Sequence, residues 1–462
     1  MDISGVIKEV TGKEPIWLED YTDLWLEWYK GDVQKFHHYK VYNGTNYVSQ
    51  NRRTLNMAKQ ICEDWANLLL NEKTDVAMGN DINQENMNRL LVDIKFWSKG
   101  NKGIEESFAL GQGAFVCGID ENKKPKIQFV NRTKIYPITV EDDMVTECAF
   151  VNINGRDVVF QFHTINPDTK NYEIRTIKGE KQNNDLTMYI GSVDTGDDVV
   201  FDTKSNIPWF IMYKPNISNN ININSPMGIS IYANSIDKLE GVDLAYDGFC
   251  NEINLGKSRI FVDKSLTRID QDGETRVFDN RDIAFYVYGD GTSENKEPLK
   301  FYNPTLRVND FFIGVNRALS LLSSAVGFGE NRYRFDGTGM TTATQVVSEN
   351  SEMFRTLKKH EIILNDTLID IMKCLMYICN TFGDGTYKFI DNTNIEIKFD
   401  DSIIEDKESE KSSDRVDVNM DIMSKAEYRS KWYNEDIETA QRTIDDISQN
   451  KQSNMANFFS EE

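Results

Sequence analysis

The sequence predicts an α+β chain in which amphipathic helices are interrupted twice by β structure. Three observations carry this reading. Apolar residues recur at steps of three or four through 54–69, 232–253, 308–326 and 346–378, the period of a helix with one buried face. Between Ala114 and Tyr213 the texture changes to short alternating or apolar runs broken by turn residues. A second, smaller group of strand-like runs, 256–302, lies between two of the helical stretches.

In chain order, Trp17, Tyr21, Leu24, Trp25 and Trp28 form an aromatic stripe at helical spacing, stopped by Gly31. The helical period alone explains the stripe, so it reads as a helix docked on the core rather than a carbohydrate or nucleotide platform. A polar stretch through His37 and His38 follows. Neighbours in an extended segment point opposite ways, which argues against a shared metal. Further helices are expected from Thr54, with Leu55, Ala58, Ile61, Cys62, Trp65 and Leu69 inward, from Gln84 to Trp97, and from Lys102 to Leu110.

From Ala114 the runs AFVCGI, KIQFV, VTECAFV, DVVFQF, NYEIRTI and IPWFIMY alternate with ENKKP, EDD, NGRD, NPDTK and GDD, the pattern of antiparallel hairpins. The pairs Asp142-Asp143 and Asp197-Asp198 fall in those turns and read as solvated charges, without the ligand spacing of a cation site. Helix returns after Pro226-Met227-Gly228 and runs to about Leu255, with Tyr232, Ile236, Leu239, Val242, Tyr246, Phe249 and Ile253 on one stripe. Strands with Asp-Gly turns are expected from Gly256 to Tyr302. There Asp270-Gln271-Asp272-Gly273-Glu274 glances at a calcium loop, but the twelfth position is Arg281, so a hairpin turn is the better reading. Asn303-Pro304 reads as a cap with proline at the first helical position. The helix it opens carries Val308, Phe311, Phe312, Val315, Leu319, Leu322 and Val326 as one stripe.

That helix runs into a loop with four glycines in thirteen residues, Gly327, Gly329, Gly337 and Gly339, and with Arg332 and Arg334 flanking Tyr333. Such glycine density predicts a mobile loop. After it, Thr341 or Thr342 caps a stretch free of Gly and Pro until Gly383, a single helix of roughly 40 residues and about 60 Å. The tail from Asp400 is acidic, with 17 acidic against 8 basic residues; Ser424 and Glu427 are spaced as a capping box, a further helix is expected from about Asn434 to Asn450, and the last residues read as frayed.

Composition then bounds function. The 462 residues suggest about three domains that can interleave, with 39% hydrophobic and 11% aromatic residues as ample core material. No run of 18 apolar residues exists, and the N-terminus lacks the basic and apolar regions of a signal peptide. Six scattered cysteines read as reduced core thiols. No phosphate-binding loop, nucleophile elbow, HExxH or dinucleotide fingerprint is present, and the four histidines do not cluster, so no catalytic residue, cofactor or metal site is expected. The net charge of −22 is opposite in sign to that of a protein gripping nucleic acid.

The order of elements, together with WLEWYKGD, RRTLNMAKQICEDWANLLLNE, SPMGISIYANSIDKLEGVDLAYDGFCNEINLGKSRIFV, TTATQVVSENSEMFRTLKKHE, FDDSIIEDKE and SKAEYRSKW, resembles the portal proteins of tailed bacteriophages, in the branch from siphophages of Gram-positive hosts (SPP1-type). The resemblance implies a portal fold: residues 1–112 the helical part of the wing, 113–225 its β-rich insertion, 226–255 and 305–326 the stem helices, 256–304 the clip. It further implies 327–340 as tunnel loop, 341–382 as the long helix joining wing and crown, and 383–462 as C-terminal wing and crown. It implies a dodecameric ring at the unique capsid vertex, without enzymatic activity, that passes double-stranded DNA non-specifically in packaging and ejection. Partners implied are further copies of the chain, the terminase large subunit and head-tail adaptor at the clip, and the major capsid and scaffolding proteins. The resemblance implies no membrane partner, and a location in the virion, with the host cytoplasm as the place of assembly. Arg332, Tyr333 and Arg334 are then the expected DNA-channel residues, Gly327, Gly329, Gly337 and Gly339 the loop hinges, and Asp270–Glu274 the clip docking tip. The rival class is a structural head-tail connector that does not line the DNA channel.

Overall fold

The computed structural model describes residues 2–16, 21–71, 73–182, 185–188, 198–263, 285–288, 299–335, 343–391, 393–399, 407–433 and 435–447. The chain forms two compact units, one of Met1–Gly337 with Arg355–Phe399, the other of Thr338–Phe354 with Asp400–Glu462.

The first unit begins with α1 (Ile3–Thr11), α2 (Thr22–Lys30), α3 (Gln34–His37), β1 (His38–Tyr42), β2 (Tyr47–Asn51), α4 (Met57–Leu69), β3 (Asp75–Met78), α5 (Asp81–Asp93) and α6 (Phe96–Leu110). Helix α4 is the hub: Ile61, Cys62, Trp65 and Leu69 are buried, as its 3–4 spacing requires. The expected helix over Gln84–Trp97 is instead divided at Lys95, which sits at φ 54 between α5 and α6. Conversely, α6 continues through Gly100, which fell between the two expected helices, and on through Gly103. A Cβ on Gly103 would lie 2.7 Å from the Phe129 ring, so glycine here serves close packing on the neighbouring sheet.

Next come β4 (Gly113–Ile119), β5 (Pro125–Asn131), β6 (Ile135–Glu141), β7 (Met144–Asn154), β8 (Asp157–Ile165), β9 (Tyr172–Gln182), β10 (Asp185–Met188), β11 (Asp198–Asp202) and β12 (Phe210–Tyr213). All their pairings are antiparallel, in one sheet ordered β10-β9-β8-β7-β6, with β11 also on β9, and another ordered β12-β4-β5. Alternation along the strands decides what each face meets. Ala149, Val151, Phe160 and Phe162 pack with Val6 and Ile7 of α1, whereas Cys148 and Phe150 pack with Ala114, Val116 and Phe210 of the second sheet. Strand β6, which none of the expected runs covers, contains Pro137. It is tolerated because β6 is the end strand of that order and its register shifts beside Pro137. Asp142 and Asp143, both at positive φ, form the turn between β6 and β7; Asp197 lies outside the described residues, and Asp198, expected in a turn, instead opens β11 opposite Ile177.

The chain then enters α7 (Ile236–Leu255), β13 (Arg259–Asp263), β14 (Phe285–Tyr288), β15 (Leu299–Tyr302), α8 (Val308–Ala325), α9 (Ala343–Phe382) and β16 (Ile395–Lys398). The small sheet is ordered β14-β13-β15, with β13 antiparallel to β15 but parallel to β14. The described strands on either side of Asp270–Glu274 are therefore not the two arms of one hairpin. Strand β16 returns to pair with β3. Helix α8 starts at Val308 rather than at Asn303-Pro304, since the Asn303 side chain accepts from Ser258 Oγ (2.6 Å) instead of capping a helix. All six cysteines are free thiols, five of them buried.

The second unit contains α10 (Lys407–Asn419), α11 (Lys425–Tyr433) and a helix over 437–447. The capping box forms as expected: Ser424 N–H donates to Glu427 (2.8 Å) and Glu427 N–H to Ser424 Oγ (3.1 Å). Trp432 Nε1 and Lys431 Nζ both donate to Asp414, joining α11 to α10.

Candidate functional site

The paired helices α7 and α8 position the loop that the sequence singles out. Gly248 of α7 lies against the Phe311 ring of α8. Glu252 accepts the Arg307 N–H (3.0 Å) and pairs with its guanidinium (2.9 Å). The acid of one helix thus caps the other, and Arg307 holds that carboxyl below the ordinary range. Helix α7 also carries two buried aspartates, which are fully employed. Asp243 accepts from Leu55 N–H (2.9 Å) and meets His37 Nε2 (3.1 Å); Asp247 accepts from Arg53 N–H (3.2 Å) and Asn251 Nδ2 (3.0 Å). His37 Nδ1 accepts from Val33 N–H (2.8 Å), so Nε2 is the donor to Asp243. Outward, Leu244 of α7 and Ile313 and Leu321 of α8 remain 57%, 60% and 66% exposed.

Where α8 ends, Gly327 turns the chain at φ 89, and a Cβ there would sit 2.7 Å from Thr356. Phe328 is buried against Trp65 of α4, ring centroids 4.3 Å apart and nearly parallel, while Trp65 Nε1 donates to the Val326 carbonyl at 3.2 Å. Tyr333 donates its hydroxyl to Asp64 (2.9 Å), and Arg332 reaches the same carboxylate at 3.7 Å. Arg334 donates to Asn331 (3.1 Å), and Phe335 N–H to buried Asn316 (3.1 Å). Burial and the Asp64 carboxylate push the Tyr333 hydroxyl far above its usual range, so it stays a neutral donor.

Residues 327–335 are thus tied to α4 and α8, which narrows the mobile loop expected from glycine content. Gly329 turns at φ 77; Gly337 and Gly339 lie outside the described residues, as do Asp270, Gln271, Asp272, Gly273 and Glu274. Arg332 keeps 42% of its side chain exposed beside Asp64, an acid that neighbouring sequence does not reveal.

The four histidines have separate places: His37 on Asp243, His38 on Asp32 at the surface, His163 between Phe150 and Phe210, and His360 against Trp65 and Phe108. Among the described residues no group of three or more His, Cys, Asp or Glu is placed to hold a metal ion, and no helix is long and apolar enough to cross a membrane.

Comparison with known proteins gives a family. The model described as phage portal protein, SPP1 Gp6-like, matches residues 19–454. No curated protein matches. Among solved structures, the chain is similar to one described as "Neck of native GTA particle computed with C12 symmetry", at 10% identity and a TM-score of 0.43, over 92% of this chain and 97% of that one. With the family match spanning nearly the whole sequence, this chain belongs to the phage portal proteins of the SPP1 Gp6 type, structural components of the phage particle and not enzymes.

Proposed function

We propose that this chain is the subunit of a closed, twelve-membered ring at the unique vertex of a phage or prophage capsid, and that the ring itself lines the passage for double-stranded DNA. The observation that carries this reading is one continuous arrangement inside the family match: two packed rods, α7 and α8, bracket a small sheet, and α8 leads through a glycine-rich basic loop into the 40-residue α9. In this reading α7 and α8 are the stem, 256–304 the clip, 113–225 the β-rich wing, 327–340 the tunnel loop, and 383–462 the C-terminal wing and crown. The clip, with Asp270–Glu274, is the docking place for the terminase large subunit and the head-tail adaptor, while capsid and scaffolding proteins surround the ring. Assembly takes place in the host cytoplasm.

The charge suits a passage that must not hold its cargo. Each firm Lys or Arg contact to phosphate releases counterions and deepens a well the DNA must leave. A subunit of net charge −22 offers a mostly repulsive wall. Half-exposed Arg332, with Arg334 beside it, then supplies brief backbone contacts that read no bases.

Replacing both with alanine tests this directly. Folding and ring formation are expected to survive, because a half-exposed ion pair contributes at most about 1 kcal/mol. Packaged DNA per capsid is expected to fall, with a smaller deficit at higher salt. Normal packaging, or a deficit that merely follows a lowered melting temperature, would remove the DNA-contact role.

A further inference from the structure

The β1–β2 hairpin stands out from the rest of the first unit. Nine of its ten strand residues are exposed. Its register places Tyr42 opposite Tyr47 and Val41 opposite Val48. Adjacent positions on a strand face opposite ways, so one face carries the tyrosine pair, with rings 5.3 Å apart, and the other the valine pair. Tyr42 and Tyr47 are 57% and 72% exposed. An isolated two-stranded ribbon is marginal in water, and an exposed strand edge is usually guarded by lysine or proline. The hairpin's one lysine, Lys40, stands opposite Ser49 at the middle of β1; residues 41–51, VYNGTNYVSQN, contain neither lysine nor proline, and no charged side chain at all, in a chain that is 27% charged.

The hairpin is nevertheless firmly built. At its base, Arg52 donates through N–H to the His37 carbonyl (2.8 Å) and through Nη1 to that of Phe36 (2.7 Å), while His38 bridges Asn51 (3.0 Å) and Asp32 (2.6 Å). At its tip, Asn43 Oδ1 accepts from the N–H groups of Thr45 and Asn46 (3.0 and 2.8 Å), and the Tyr42 hydroxyl donates to the Gly44 carbonyl (2.9 Å). A pre-shaped element costs little ordering entropy on binding.

We propose that this hairpin is a docking element that seats, through its tyrosine and valine faces and open edges, on a second copy of this chain. The proposal rests on the reading that the chain assembles with itself. Charge selects the occupant. Two subunits of net charge −22 repel wherever acidic surfaces meet, and an uncharged tip can approach another copy without that cost. DNA would instead call for cations at the tip. The nearby arginines are already engaged, Arg52 over the Phe36 ring (4.3 Å) and Arg53 with Asp247 (3.5 Å).

The test uses the full chain with Tyr42→Ser and Tyr47→Ser together. Both side chains are exposed, and the contacts they lose, their ring pair and the Tyr42–Gly44 bond, lie within the hairpin itself, so the melting temperature of the buried core is expected to match the parent. The concentration at half-assembly, read by mass photometry, is expected to rise about tenfold or more, the effect of losing aromatic anchors from an interface. Benzoylphenylalanine at position 47 is expected to give covalent dimers on irradiation of the assembled protein. A parent that forms rings, with a variant that forms them equally and no cross-linked dimer, overturns the proposal alone. A parent that stays monomeric overturns the assembly reading and this proposal with it. Loss of duplex-DNA retention with assembly intact would assign the hairpin to DNA and also overturn it.

Discussion

Replacing Trp65 with alanine is expected to cost the first unit about 3–5 kcal/mol, the usual range for emptying a large aromatic site in a core. Trp65 is fully buried, stacks on Phe328, packs beside Phe108 and His360, and donates to the Val326 carbonyl. The cavity would open under the first residues of the proposed tunnel loop, so stability and loop anchoring are expected to fall together. Urea unfolding followed by far-ultraviolet circular dichroism measures the first, and limited proteolysis near 328–335 the second. Trp65→Phe keeps most of the stack but leaves the Val326 carbonyl without its donor. Its cost is expected to be about 1–3 kcal/mol, the range for one buried polar group left unpaired. A loss below about 1 kcal/mol for the alanine variant would contradict the role given to this contact.

The second large effect is acid sensitivity. Burial pushes His163 and His360 down to about 3. His163 lies between two phenylalanines with neither ring nitrogen hydrogen-bonded among the described residues, and His360 accepts the Asn216 N–H at 3.0 Å. Both stay neutral in the folded chain, whereas in the unfolded chain they take up a proton below about pH 6.5. The unfolded state therefore binds more protons, and the stability held at neutral pH is lost as pH falls from about 6.5 towards 3. At pH 5 the loss amounts to about 2 kcal/mol for each histidine. Urea midpoints between pH 7 and pH 5 measure it, and His163→Phe is expected to flatten part of the slope. An unchanged slope in that variant would show that His163 is not a source of the acid response.

How much of this was legible in the sequence depended on how local the cause was. The 40-residue α9 could be read because nothing between Thr342 and Gly383 interrupts it, and the capping box of α11 because both of its bonds join Ser424 to Glu427. Causes carried by distant partners were hidden. The start of α8 is fixed by Glu252 of α7, so the cap expected at Asn303 was misplaced by a few residues. Strand β6 survives its proline only by lying at the end of the strand order, and the division at Lys95 has no Gly or Pro to announce it. The hairpin at 38–51 escaped notice because it shows no alternation of apolar and polar faces; its tyrosines and valines point both ways. At the candidate site, the arginines, the tyrosine and two glycines of the described part of the loop stood out in the sequence. Asp64, Trp65 and Asn316, which hold that part in place, come from other helices and carry no local signature.

The central claim is that copies of this chain close into a ring around a passage for DNA, with α7, α8 and the loop after α8 turned to that passage. The exposed Leu244, Ile313 and Leu321 on the paired helices are the surfaces that such closure would cover. Electron micrographs of the purified chain, averaged without imposed symmetry, test this most directly. The account predicts rings with a rotation axis and a central opening that admits a DNA duplex, whatever the spread of ring sizes outside the capsid. Monomers alone at micromolar concentration across a range of salt, or assemblies with no opening, would contradict it.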